Sequence, residues 1–83
     1  MNNSLNKEEL LTRITLNPEV MLGKPTVRGT RLTVEHIIKA LAGGLTFEQL
    51  REDFPFLEDA DVRACLLYAS QLLESEKVFP VAA

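Results

Sequence analysis

"TVEHIIKALAGGLTFEQLREDFPFLEDADV", Thr33 to Val62, holds most of the fold information in this 83-residue chain. Thr33 is a good helix cap, and Val34, Ile37, Ile38 and Leu41 recur behind it at helical spacing. Gly43-Gly44 stops that helix, because a glycine just past the last turn accepts the left-handed conformation at little cost. Thr46 starts a second helix with Phe47, Leu50 and Phe54 on one face, and Pro55 ends it. Glu58, with Asp61 three residues on, resembles a capping arrangement for a third helix, although Ser or Thr would suit the cap better. Val62, Cys65, Leu66, Ala69, Leu72 and Leu73 then form one apolar stripe reaching to about Lys77. The spacing predicts three helices of increasing length joined by connections of about three or four residues. Two short helices followed by a longer one match a helix-turn-helix layout.

The preceding residues follow other patterns. "SLNKEELLTR" offers Ser4 or Asn6 as a cap, Glu8 and Glu9 in a first turn, then Leu10 and Leu11, which predicts a short helix over 6–12. Ile14 and Leu16 alternate with Thr15, and "TVRGTRL" alternates again around Gly29. Asn17-Pro18 and Gly23-Lys24-Pro25 are turn signals between them. We read two short extended segments able to pair, with Gly29 as a bend or bulge. The tail "VFPVAA" has no helical pattern, though Phe79 could dock. The expected organisation is an arm or short helix over 1–13, one domain over 14–78 and a tail over 79–83. The expected fold class is mainly α: a three-helix bundle with a short extended N-terminal segment.

Composition narrows the function. The net charge is −3, which argues against a protein that coats nucleic acid by charge alone but leaves room for a local basic patch. Cys65 is the sole cysteine, so neither an internal disulfide nor a cysteine metal site can form, and a cytosolic setting is expected. No apolar run approaches a membrane span, and the N-terminus lacks the basic flank and apolar core of a signal peptide. A domain this small buries only about 60% of its unfolded surface, so a dimer or a partner would help it.

The stretch "LGKPTVRGTRLTVE", Leu22 to Glu35, concentrates turn chemistry and positive charge ahead of the first bundle helix. One reading is structural: Gly23, Pro25, Gly29, Thr30 and Thr33 shape a rigid connector and satisfy backbone groups. The other is functional: Lys24, Arg28 and Arg31 project from that connector toward DNA phosphates or another acidic partner. Arg31 could instead pair with Glu35 or Asp53. On the third helix only Arg63 and Gln71 suit base reading, and the acidic surroundings favour a solvated face there. Leu67, Tyr68, Phe79 and Val81 fall off the main stripe, as core filling or as a dimer or partner interface.

Catalytic chemistry finds little support. His36 is the sole histidine and has no Ser or Cys partner at an indicative spacing. Cys65 lies on the apolar stripe, where a thiol is inert. Asp59 and Asp61 point in different directions on a helix. "GKPT" lacks the lead of a phosphate-cradling loop. We expect no catalytic residue, no metal and no cofactor, and no enzyme.

The segment from Ile14 to Ser70 resembles the small bacterial family filed as domain of unknown function 433. The matching residues are Ile14 with Pro18; Gly23, Pro25, Val27, Gly29, Thr30, Arg31, Leu32 and Val34; Gly44, Thr46, Glu48 and Leu50; Phe54-Pro55; and Asp61-Val62. The resemblance implies a homeodomain-like, helix-turn-helix fold that is often dimeric. It implies an antitoxin of a type II toxin–antitoxin pair, with a PIN-like ribonuclease as the toxin; the chain's own promoter DNA is a further candidate partner. The family's last helix usually opens with Thr, where this chain has Glu58 followed by Asp59 and Asp61. That suits the helix dipole and is poorly suited to DNA phosphates. Two functions of different class follow: a DNA-binding antitoxin, and an interaction module that never touches DNA.

Overall fold

The computed structural model describes residues 6–76. Helix α1, Lys7–Leu11, is held by a reciprocal cap: Asn6 Oδ1 accepts from the Glu9 amide at 2.8 Å, and Glu9 Oε1 accepts from the Asn6 amide at 3.0 Å. Leu10 is buried, and α1 packs on the last helix, so this short element belongs to the same packed unit as the rest.

The two extended segments pair within the chain. Strand β1, Ile14–Thr15, runs antiparallel to β2, Thr26–Val27, with Ile14 opposite Val27 and Thr15 opposite Thr26. The chain then folds back on β2. The Val27 amide donates to Leu32 O at 2.9 Å, and Thr26 bridges to Thr33. Gly29, at φ +79°, is the residue that takes the left-handed step in this turn. Thr30 locks it: its hydroxyl donates to Val27 O at 2.7 Å and accepts from the Leu32 amide at 3.0 Å.

This hairpin leads directly into α2, Val34–Ala42, where buried Thr33 caps the helix by accepting from the His36 amide at 3.0 Å. Thr33→Ala leaves that amide without its partner, and we expect a loss of about 1 kcal/mol. The fall of a few degrees in Tm is readable by thermal circular dichroism.

Helix α3, Phe47–Asp53, opens on a Thr46–Gln49 capping box. With seven residues against nine in α2, it breaks the expected order of increasing length. The reason lies at Phe54, which leaves helical geometry (φ −130°, ψ 80°) because the residue before a proline is pushed out of the α region.

Helix α4, Asp59–Glu76, is the long axis and lies against α1, α2 and β1. The core gathers Val27, Leu32, Val34, Ile37, Leu50, Leu57, Val62 and Cys65. The apolar stripe expected along all of α4 is only partly buried: Val62 and Cys65 join the core and Ala69 is half-buried. Leu66, Leu72 and Leu73 are 48%, 48% and 59% exposed. Two causes combine: Leu66 and Leu73 lie on the side of α4 turned away from buried Asp61 and Cys65, and Leu72, on the core side, lies past α2, whose nine residues cover about half of the roughly 27 Å that 18 residues of α4 span. Leu67 and Tyr68 are half-buried, and Phe79 and Val81 lie outside the described residues.

Cys65 is fully buried, and burial first, then the nearby Asp61 charge, pushes its thiol up to about 12. Because the folded protein holds that proton more tightly than the unfolded chain, the thiol costs nothing at neutral pH and weakens the fold as pH rises through the alkaline range. At pH 8 we expect Cys65 to react with a disulfide reagent only as fast as the protein opens, and at once in denaturant. A fast stoichiometric reaction in native buffer would contradict this placement.

No helix among the described residues is long and apolar enough to cross a membrane.

Candidate functional site

The hairpin, the loop before it and the α3–α4 connection enclose a broad open depression of about 850 Å³. Its polar wall begins with Arg13, which follows α1. Arg13 Nη1 reaches Glu58 Oε1 at 2.7 Å and Asp61 Oδ1 at 2.9 Å. Asp61 is buried, and its second oxygen accepts from the Glu58 amide at 2.8 Å. This is one half of the expected capping arrangement; the Glu58 carboxylate, free to close the other half, goes to Arg13 instead. Both hydrogen bonds hold the Arg13 guanidinium above its ordinary value, Glu58 contributing most. The clamp fastens the N-terminal segment to the start of α4 and consumes both carboxylates on this wall.

Arg28 and Arg31 sit beside it on the hairpin turn, both exposed. Among the described residues, the Arg28 side chain donates only to the neutral Thr12 carbonyl, at 3.3 Å. Arg31 makes no ion pair among the described residues; Glu35, one of its two expected partners, is taken by Lys24 at 2.9 Å and Lys39 at 3.1 Å. Those lysines, Lys24 foremost, hold the Glu35 carboxyl below its ordinary value. Among the described residues, the depression thus keeps two guanidinium charges without an ion pair at its rim.

Its floor is apolar and aromatic. His36 meets Phe54 edge-on at 5.6 Å between centroids, and Phe54 meets Phe56 at 6.0 Å. Phe56 is 50% exposed. Met21 reaches the same space from a strained loop in which Met21, Leu22 and Gly23 all have positive φ (49°, 60° and 82°). A left-handed conformation costs a non-glycine residue roughly 1–2 kcal/mol, and here it is spent on a loop that leaves Leu22 93% exposed.

The five cationic and polar residues singled out in the sequence do not converge. Arg28 and Arg31 share this depression, with Gly29, Thr30 and Thr33 shaping the hairpin beneath them. Lys24 and Pro25 line a different, mostly apolar groove between α2 and α4. Arg63 lies exposed on α4, and Gln71 is half-buried further along it and already engaged. The sequence reading missed Arg13 and the aromatic floor. Phe54-Pro55-Phe56 was the available signal, since the residue before a proline is pushed out of the helix, which ends α3 at Phe54 and places both aromatics in the turn that follows.

Chemically, this arrangement pairs two arginines with exposed phenylalanine and methionine, residue types enriched at protein interfaces. Among the described residues no group of three His, Cys, Asp or Glu side chains comes together.

Residues 14–69 match the family described as "Protein of unknown function (DUF433)". Over 56 residues the chain is 34% identical to the uncharacterized protein y4eO of Sinorhizobium fredii, a match that takes 68% of this chain. It takes 25% of that protein, so the chain spans about a quarter of that relative's length. The fold is similar to the crystal structure of a DUF433 member protein from Anabaena variabilis, with a TM-score of 0.71 and 26% sequence identity over 82% of this chain and 67% of that one.

Proposed function

The chain belongs to the DUF433 family, and on that premise we propose that it is a non-catalytic antitoxin whose Arg28 and Arg31 dock an acidic surface of a PIN-like ribonuclease. The observation that carries this reading is the uncompensated arginine pair beside exposed Phe56 and Met21. A nuclease that works through acidic side chains offers the complementary charge, and occupying that site would silence it. Aromatic and arginine anchors in one recess are what a protein partner needs. In cells, co-expression of this chain should relieve growth arrest caused by a PIN-like nuclease encoded beside it. Arrest that persists at equal expression of both proteins counts against the proposal.

DNA is the second reading, favoured by the same two arginines and opposed by α4. In helix-turn-helix proteins the N-terminal residues of the recognition helix contact base edges. Here that end carries exposed Asp59 and the carboxylate of Asp61 locked in the Arg13 clamp. Binding to upstream DNA that falls steeply with added salt would support a regulator working through phosphate contacts.

A further inference from the structure

The side of α4 turned away from the core presents a face that complements itself. With 3.6 residues per turn, Arg63, Leu66, Ser70, Leu73 and Glu74 line one side of the helix, opposite the buried Asp61 and Cys65. Leu66 and Leu73 are 48% and 59% exposed, one heptad apart, with small Ser70 between them. Arg63 and Glu74 are exposed at opposite ends of the same strip, and neither has an ion pair among the described residues. A strip with a cation at one end, a carboxylate at the other and leucines between matches its own copy turned end for end.

We propose that α4 is the interface for a second copy of this chain, packed antiparallel about a two-fold axis between Leu66 and Leu73. That axis sets Leu66 of each copy against Leu73 of the partner subunit. It brings Arg63 within about half a turn of Glu74 of the partner subunit, a span of about 3 Å along the axis that both side chains bridge easily. Each contact occurs twice, as an isologous interface requires. A parallel pairing would instead place Arg63 beside Arg63 and Glu74 beside Glu74, so the charges choose the antiparallel arrangement. Ser70 at the centre allows close approach of the two helix backbones. The interface leaves the Arg28–Arg31 depression uncovered, so one dimer would present two copies of it, and the inference stands whether or not a nuclease is the partner.

Sedimentation equilibrium on the full chain, from about 1 to 100 μM, tests this. We expect a dimer. Leu66→Glu and Leu73→Glu should each raise the dimer dissociation constant at least tenfold, with the helical circular dichroism spectrum retained because both side chains are exposed. Arg63→Glu and Glu74→Arg should each weaken the dimer severalfold, and the double charge swap should restore it. A monomer throughout that range would overturn the proposal. So would a dimer indifferent to the leucine changes, or one that the double swap fails to rescue.

Discussion

Asp61→Ala is expected to lower the stability of the folded domain by about 3 kcal/mol, the cost of breaking a largely buried ion pair from one side. Asp61 receives Arg13 at 2.9 Å through one oxygen and the Glu58 amide at 2.8 Å through the other. Its side chain is only 9% exposed, so water cannot replace both bonds. The truncation leaves the Glu58 amide unsatisfied at the start of α4 and weakens the tie between the N-terminal segment and that helix. Arg13 keeps Glu58, whose carboxylate is 67% exposed and screened by solvent, so the remaining pair is worth little. Asp61→Asn keeps an acceptor oxygen and loses the charge, and should fall between Ala and the natural residue. Urea unfolding at neutral pH measures all three. In a double-mutant cycle, Arg13→Ala and Asp61→Ala should couple by at least about 1 kcal/mol. Additive effects would mean that the two side chains do not act as a unit.

The second large effect concerns binding. Replacing Arg28 and Arg31 together with Ala should weaken the proposed complex with a PIN-like ribonuclease by on the order of a thousandfold, since a hot-spot arginine is worth about 2 kcal/mol or more. The fold should survive unchanged, because both side chains are exposed and neither is ion-paired among the described residues. Lys24→Ala is the matched control: it removes a surface pair with Glu35, lines a different groove, and should leave affinity within about threefold. Isothermal titration of the three proteins separates these cases. Equal affinities for the natural chain and the double variant would move the interface elsewhere.

Much of the architecture was legible in the sequence, and particular residues show why. Asn6, Thr33 and Thr46 announce the starts of α1, α2 and α3 because a capping side chain acts within three residues of itself. Gly29 and Gly44 mark left-handed steps for an equally local reason. What could not be read was anything that depends on how far one element extends past another. The stripe on α4 looks uniform from Val62 to Leu73, yet only the part facing α1, α2 and the hairpin is covered, and no local pattern encodes that limit. The Arg13 clamp joins residues 45 and 48 positions apart, so Glu58 and Asp61 looked like helix-dipole acids rather than partners for a distant guanidinium. For the same reason the sequence grouped Lys24 with Arg28 and Arg31 as one basic patch. Three-dimensional neighbours decide which cations remain free: Glu35, in the first turn of α2, removes Lys24 and leaves the two arginines on the hairpin. The aromatic floor under them is likewise a product of the turn at Phe54-Pro55-Phe56, which brings Phe54 between His36 and Phe56.

The central claim is that the arginine-rimmed depression silences a nuclease by covering its acidic surface. The most direct test follows cleavage of a fluorescent RNA by a PIN-like ribonuclease while this protein is titrated in. The account predicts that activity falls to background near one binding site per nuclease, and that the Arg28/Arg31 double variant leaves cleavage intact at the same concentrations. Cleavage that continues unchanged in the presence of excess natural protein would contradict it.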